Sequence, residues 1–172
     1  MKTPGQNEYP QNKYFSYYIK QVENEDVISA LEEQLLIVEK LFLNLSLEQQ
    51  NYRYAENKWT AKQILGHLTD SERVFAYRSL CIARNESQSL PSFDENDYQN
   101  AANFEQQTIE QLMEQYRYTR LANICLFKTY SENAASNIGF ANGNAVSARA
   151  LVFMIAGHEL HHLSVLKDRY NF

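Results

Sequence analysis

Proline and glycine are scarce, with three and five residues in a chain of 172. An all-β protein needs turn residues every 8–12 positions, and this chain cannot supply them. Pro4, Pro10 and Pro91 all fall outside the stretches that read as helix. Cysteine is scarcer still. Cys81 and Cys125 both lie within apolar helical patterns, with no CxxC pair and no disulfide framework, so both are expected to be core-like reduced thiols. Positive charge is in deficit, 16 Lys and Arg against 21 Asp and Glu for a net charge of −5. That is the opposite of the basic excess of a nucleic-acid-binding surface. No run approaches the roughly 18 apolar residues of a membrane span. The polar opening MKTPGQNEYPQNKYF lacks the apolar segment of a signal peptide. The expectation is a cytoplasmic domain with neither nucleic acid nor membrane as partner, and long enough to bury a core without staples.

Helical periodicity is abundant. A 3.6-residue pattern runs from Asp26 to Leu45 through Val27, Leu31, Leu35, Val38, Leu41 and Phe42. A second helix is predicted from Thr60 to about Arg84, opened by a Thr60-x-x-Gln63 capping box and with Trp59 placed to pack on Ile64. A third is expected from about Phe104 to Tyr130, and a fourth from a Ser147 cap to about Tyr170. Residues 85–105 read as a long connection, either a crossover or a lid, and Asn137–Asn144 as a turn cluster. Residues 1–24, polar and tyrosine-rich, are expected to pack as an N-terminal segment on a single domain spanning 25–172. Four amphipathic helices predict an all-α four-helix bundle.

Only four histidines are present: His67 on the second predicted helix and His158, His161 and His162 on the fourth. Residues four apart share a helix face, so His158 and His162 can aim at one point while His161 turns away. A divalent metal usually takes at least three protein ligands, and His67 is the remaining histidine. Three histidines with an open position form a catalytic type of site. The same residues read equally as satisfied core and surface histidines. His158-Glu159-Leu160-His161-His162 also spells H-E-x-x-H, in which the glutamate is a general base. Against a peptidase stand Val165, where the motif needs a turning glycine, and the ten residues that follow His162. A di-iron carboxylate site lacks its second E-x-x-H. Gly66 and Gly157 precede His67 and His158, and either close approach of the second and fourth helices or tight packing alone accounts for them.

Several segments together resemble the DinB-like metalloprotein superfamily, in its bacillithiol-transferase-like branch. They are Tyr52–Ala55 with Lys58, Trp59 and Thr60; Gly66–Leu68 with Asp70–Arg73; Phe75–Arg78; Leu90–Tyr98; Gly139 with Ala141–Asn144; and Val146–Leu151 leading to Ile155–His162. The resemblance implies an up-down-down-up bundle, often a homodimer, with a metal triad carried onto His67, His158 and His162. The metal it implies is divalent, zinc or nickel foremost. It also implies an S-transferase joining a low-molecular-weight thiol to an electrophilic small molecule, with a non-enzymatic metal-binding or stress-response protein of the same fold as the alternative. In such a mechanism a thiol bound to the metal becomes the thiolate nucleophile. Arg78 and Arg149 are then candidates to bind substrate carboxylates, or else ion-pair residues. Glu159 points about 100° from His158, which makes it a poor orienting partner. Asp70 and Glu72 read as solvated helix charges.

Overall fold

The computed structural model describes residues 1–172. Its helices are α1 (Lys13–Lys20), α2 (Val27–Leu43), α3 (Leu47–Asn51), α4 (Ala61–Ala83), α5 (Glu95–Ala102), α6 (Ile109–Phe127), α7 (Glu132–Ser136) and α8 (Ala148–Val165). A hairpin of β1 (Ile138–Ala141) and β2 (Asn144–Ser147) precedes the last helix. No helix is long and apolar enough to cross a membrane.

The four long helices α2, α4, α6 and α8 form the bundle, and short side chains fix where each begins. Asp26 accepts from the Ser29 amide, and Ser147 accepts from the Ala150 amide. Thr60 with Gln63 and Thr108 with Gln111 form reciprocal capping boxes. Each cap satisfies amides that have no partner inside the helix and contributes about 1 kcal/mol. The Thr108 box makes the third bundle helix start later than its periodicity predicts. Asn103 breaks the chain with φ 51°, and Phe104–Gln106 is a separate 3-10 turn. At the other end α8 gives way at Leu166 to a π-helical turn that carries the chain to Tyr170.

Polar pairs between helices set their directions. Glu39 meets Arg117 and Glu32 meets Lys128, so α2 and α6 are antiparallel. Lys62 donates to the Glu105 carbonyl, Arg120 pairs with Glu72, and Ser79 reaches Tyr130, so α4 and α6 run parallel. Ser79 also donates to the Ala148 carbonyl at 2.9 Å while His67 faces His158, so α4 and α8 are antiparallel. The result is an up-down-down-up bundle. Parallel α4 and α6 require the chain to climb back the length of α4, about 35 Å for 23 residues. Residues 84–108 make that return, and α5 is part of it, capped by Asp94.

The expected turn cluster is the β-hairpin, reversed at Asn142 and Gly143 with φ 50° and 70°. Two positive φ values favour Asn-Gly in a two-residue turn. Leu90 exchanges backbone hydrogen bonds with Phe140 and Asn142, so the hairpin pins the returning connection.

The N-terminal segment is ordered. Ile19 and Val22 are in the core, Gln21 donates to the Gly157 carbonyl, and Arg149 grips Glu8. Gly157 lets α1 in. A Cβ there would stand 2.0 Å from the Tyr18 carbonyl oxygen. Gly66 similarly makes room for the Phe104 ring, 2.5 Å from its virtual Cβ. The two glycines therefore admit neighbours other than each other's helix, which settles against a direct α4–α8 backbone approach as their purpose. Cys81 is half-buried but Cys125 is exposed, and neither forms a disulfide. Cys125 thus departs from its expected core position, lying on the outer face of α6.

Candidate functional site

His67 comes from α4 and His158 and His162 from α8, one turn apart. Antiparallel packing brings the three imidazoles edge to edge. His158 Nε2 lies 3.1 Å from His67 Nε2 and 3.1 Å from His162 Nε2. All three offer a ligand atom within 4.8 Å of the others. Four-coordinate zinc with Zn–N bonds of about 2.0–2.1 Å separates its nitrogens by roughly 3.3 Å, so this donor set fits an ion of that size. His67 Nδ1 lies 3.4 Å from the Ser71 hydroxyl, one turn along α4. In the tautomer with Nδ1–H donating to Ser71, the His67 Nε2 lone pair is free.

Burial keeps the cluster neutral. It lowers the His67 pKa to about 4. His158 and His162 fall well below the ordinary histidine range, first through burial and then through the neighbouring imidazoles. Neutral imidazole is the form that ligates metal. His161 stays outside the cluster, against the rings of Tyr17 and Tyr18.

Aromatic rings enclose the site. Trp59 lies 4.7 Å from the His67 ring, and Tyr18 and Phe75 lie 5.5 and 6.0 Å from the His158 ring. A cavity of about 520 Å³ opens over the three histidines, between α1, α4, α8 and the hairpin. A second, of about 300 Å³, reaches His162 from the side of Tyr54, Trp59 and Tyr170.

Glu159 points into the core. It receives hydrogen bonds from Arg120 at 2.7 and 3.2 Å and from the Tyr116 hydroxyl at 2.6 Å. Arg120 is 1% exposed and also holds Glu72 at 3.0 Å and the Leu31 carbonyl at 3.1 Å. The peptidase reading of H-E-x-x-H therefore fails, since its glutamate is not available as a general base. Glu72 is 2% exposed, which overturns its reading as a solvated charge. It is desolvated because Arg120 and Asn123 supply the hydrogen bonds water would. Asp70 pairs on the helix surface with Arg73.

The two candidate arginines part company. Arg149 is paired with Glu8 and Glu132 and is not part of the cavity lining. Arg78 lines the cavity. One of its nitrogens donates to the Pro91 carbonyl, and its guanidinium lies over Phe93 at 5.6 Å. Tyr18, Ser71, Phe75 and Phe93 belong to the site without having been singled out from sequence. Ser71 and Phe75 follow His67 at helical spacing, the one signal that marks them. Nothing local marks Tyr18 or Phe93.

Comparison with known proteins adds three findings. The sequence profile of the DinB superfamily matches residues 30–166. A protein of Oceanobacillus iheyensis, named provisionally as a metal-dependent hydrolase, is 26% identical over 126 residues, covering 72% of each chain. The structure of YfiT from Bacillus subtilis superposes with a TM-score of 0.73 at 16% identity, over 85% of this chain and 86% of that one. YfiT is described, also provisionally, as a metal-dependent hydrolase with an unusual four-helix bundle topology.

Proposed function

The chain belongs to the DinB superfamily, and on that premise we propose that it holds a divalent metal ion on His67, His158 and His162 and serves as a metal-dependent S-transferase, joining a small thiol to an electrophile. The convergence of three neutral Nε2 atoms in a buried site carries this reading. A divalent ion there supplies Lewis acidity that lowers the pKa of a thiol or water bound to it.

The chain's own groups prepare that site. Ser71 orients His67 through Nδ1. Trp59, Tyr18 and Phe75 set aromatic rings against the imidazoles and line the approach to them. Arg120 and Tyr116 hold Glu159, and so fix the rotation of α8 that aims His158 and His162. The cavity lining includes one carboxylate, that of Glu95, which is exposed. Activation of a thiol at the metal needs no carboxylate base, so this lining suits transfer. The provisional names of the two relatives favour hydrolysis as the second reading.

The deciding experiment loads the purified protein with zinc or nickel. It then follows consumption of several small thiols with a haloaromatic or an epoxide, beside a panel of ester and amide substrates. Metal-dependent thiol consumption supports transfer. Metal-dependent ester or amide cleavage with no thiol turnover replaces it with hydrolysis.

A further inference from the structure

The large cavity has a polarity along its length. The three histidines lie at one end and a single cation, Arg78, at another. Of the three, His67 shares a face of α4 with Arg78. Eleven residues separate His67 from Arg78, which brings the helix round to within about 20° after about 16 Å of axis. Between them the lining includes Phe75, with Tyr18 from α1, and both rings lie against His158.

Arg78 is nearly buried, at 7% exposure, yet it has no carboxylate partner within the protein. Arg120 and Arg149, the other deeply placed arginines, each hold two glutamates. Burial presses the Arg78 pKa downward from the ordinary arginine value. A guanidinium has five N–H donors, and this one satisfies the Pro91 carbonyl with one nitrogen. Its other nitrogens donate to nothing in the protein, and none is sealed from solvent. A cation held this deep with donors still open is suited to a ligand anion, which would satisfy them with charge-assisted hydrogen bonds. The exposed carboxylate of Glu95 disfavours a second negative charge at its own side of the cavity.

We infer that the cavity takes an elongated organic monoanion with a flat apolar or aromatic body: its carboxylate pairs with Arg78, its body lies between Phe75 and Tyr18, and its other end reaches the histidines. This rests on the proposed function only in making the histidine end the reactive one. The anion site stands on Arg78 and the cavity.

The test uses 4-phenylbutanoate and its neutral amide, titrated into the full-length protein by calorimetry and by the fluorescence of Trp59, the one tryptophan. Titrations are run on chelator-treated and on zinc-loaded protein, so that a carboxylate bound to metal is told apart from one bound to Arg78. The metal-free protein is expected to bind the carboxylate at least about tenfold more tightly than the amide, as a charge-assisted hydrogen bond implies. Arg78→Gln keeps a donor for Pro91 and should bring the two affinities within about twofold. Arg78→Lys should retain a preference, and it keeps the test open if the glutamine variant fails to fold. Equal binding of acid and amide by the metal-free wild type, binding of neither, or a full preference surviving in Arg78→Gln overturns the inference. Metal stoichiometry measured on the same samples tests the histidine reading separately. A protein that prefers the anion but holds no zinc sinks that reading and leaves this one intact.

Discussion

The Tyr18 carbonyl oxygen lies where a side chain at position 157 would stand, 2.0 Å from the virtual Cβ of Gly157. One hydrogen atom in place of a methyl group thus lets α1 close over the helix that carries His158 and His162. Gly157→Ala is expected to displace α1, because backbone cannot yield as a side chain can. Overpacking of this kind costs about 1–3 kcal/mol. Hydrogen exchange should rise across residues 13–22 before it rises in α2 or α6. A Cβ at Gly66 meets first the Phe104 ring, a side chain rather than backbone, so Gly66→Ala should disturb the protein less. Unchanged exchange in α1 of Gly157→Ala would show that the segment sits there loosely.

Metal binding is expected to need His67, His158 and His162 together. Alanine at any one should abolish stoichiometric zinc or nickel, read by elemental analysis of untagged protein. His161→Ala should retain it, since that ring packs on Tyr17 and Tyr18 instead. Full stoichiometry in His67→Ala would disprove the triad.

Chelation should lower the melting temperature without unfolding the chain at room temperature. A ligand that binds only the native state stabilises it by mass action, about 2.7 kcal/mol at a hundredfold excess over its dissociation constant. Two apolar clusters of 21 and 15 buried residues remain to hold the fold when the metal is gone. Complete loss of helical circular dichroism in chelator would instead mark a structural metal site.

Acid should release the N-terminal segment first. Burial raises the Glu8 pKa, but hydrogen bonds from Arg149 and the Gly5 amide outweigh it and leave the value below the ordinary 4.5. A carboxyl with a depressed folded pKa contributes stability above its unfolded pKa, and that contribution fades as pH falls through the folded value. Proteolysis within residues 1–24 should therefore accelerate below about pH 4.5 in the wild type. In Glu8→Gln it should already be fast at neutral pH. Equal cleavage of the two proteins at pH 7 would show that the Arg149 pair does not hold the segment.

Much of this molecule was legible in its letters, and the exceptions share a cause. Capping residues act on amides two or three positions away, so Thr60, Gln63 and Ser147 announce their helices locally. The His158/His162 pair is equally local, set by one turn of helix. The burial of Glu72 and Arg120 is not legible locally, because burial of a charge depends on partners 48 residues away, and no helical pattern encodes that. The roles of Gly66 and Gly157 lay hidden for the same reason. Each opens space for a distant segment, Phe104 in one case and Tyr18 in the other. The hairpin had its turn residues in plain view, but its strands are four residues each, too short for alternation to stand out.

The buried charges acquire a further meaning from where they come. Glu72 is on α4, Arg120 on α6 and Glu159 on α8, while the Leu31 carbonyl that Arg120 also holds belongs to α2. Along every bundle helix this level falls between the residues of the two apolar clusters. Apolar surfaces alone tolerate sliding, because one leucine resembles the next. Here a slip of any one helix by a single turn, about 5.4 Å, would strand an ion in hydrocarbon, at a cost of several kcal/mol. The level works like the tumblers of a lock, admitting one alignment of the four helices, and that same alignment brings the imidazoles of α4 and α8 to a common point.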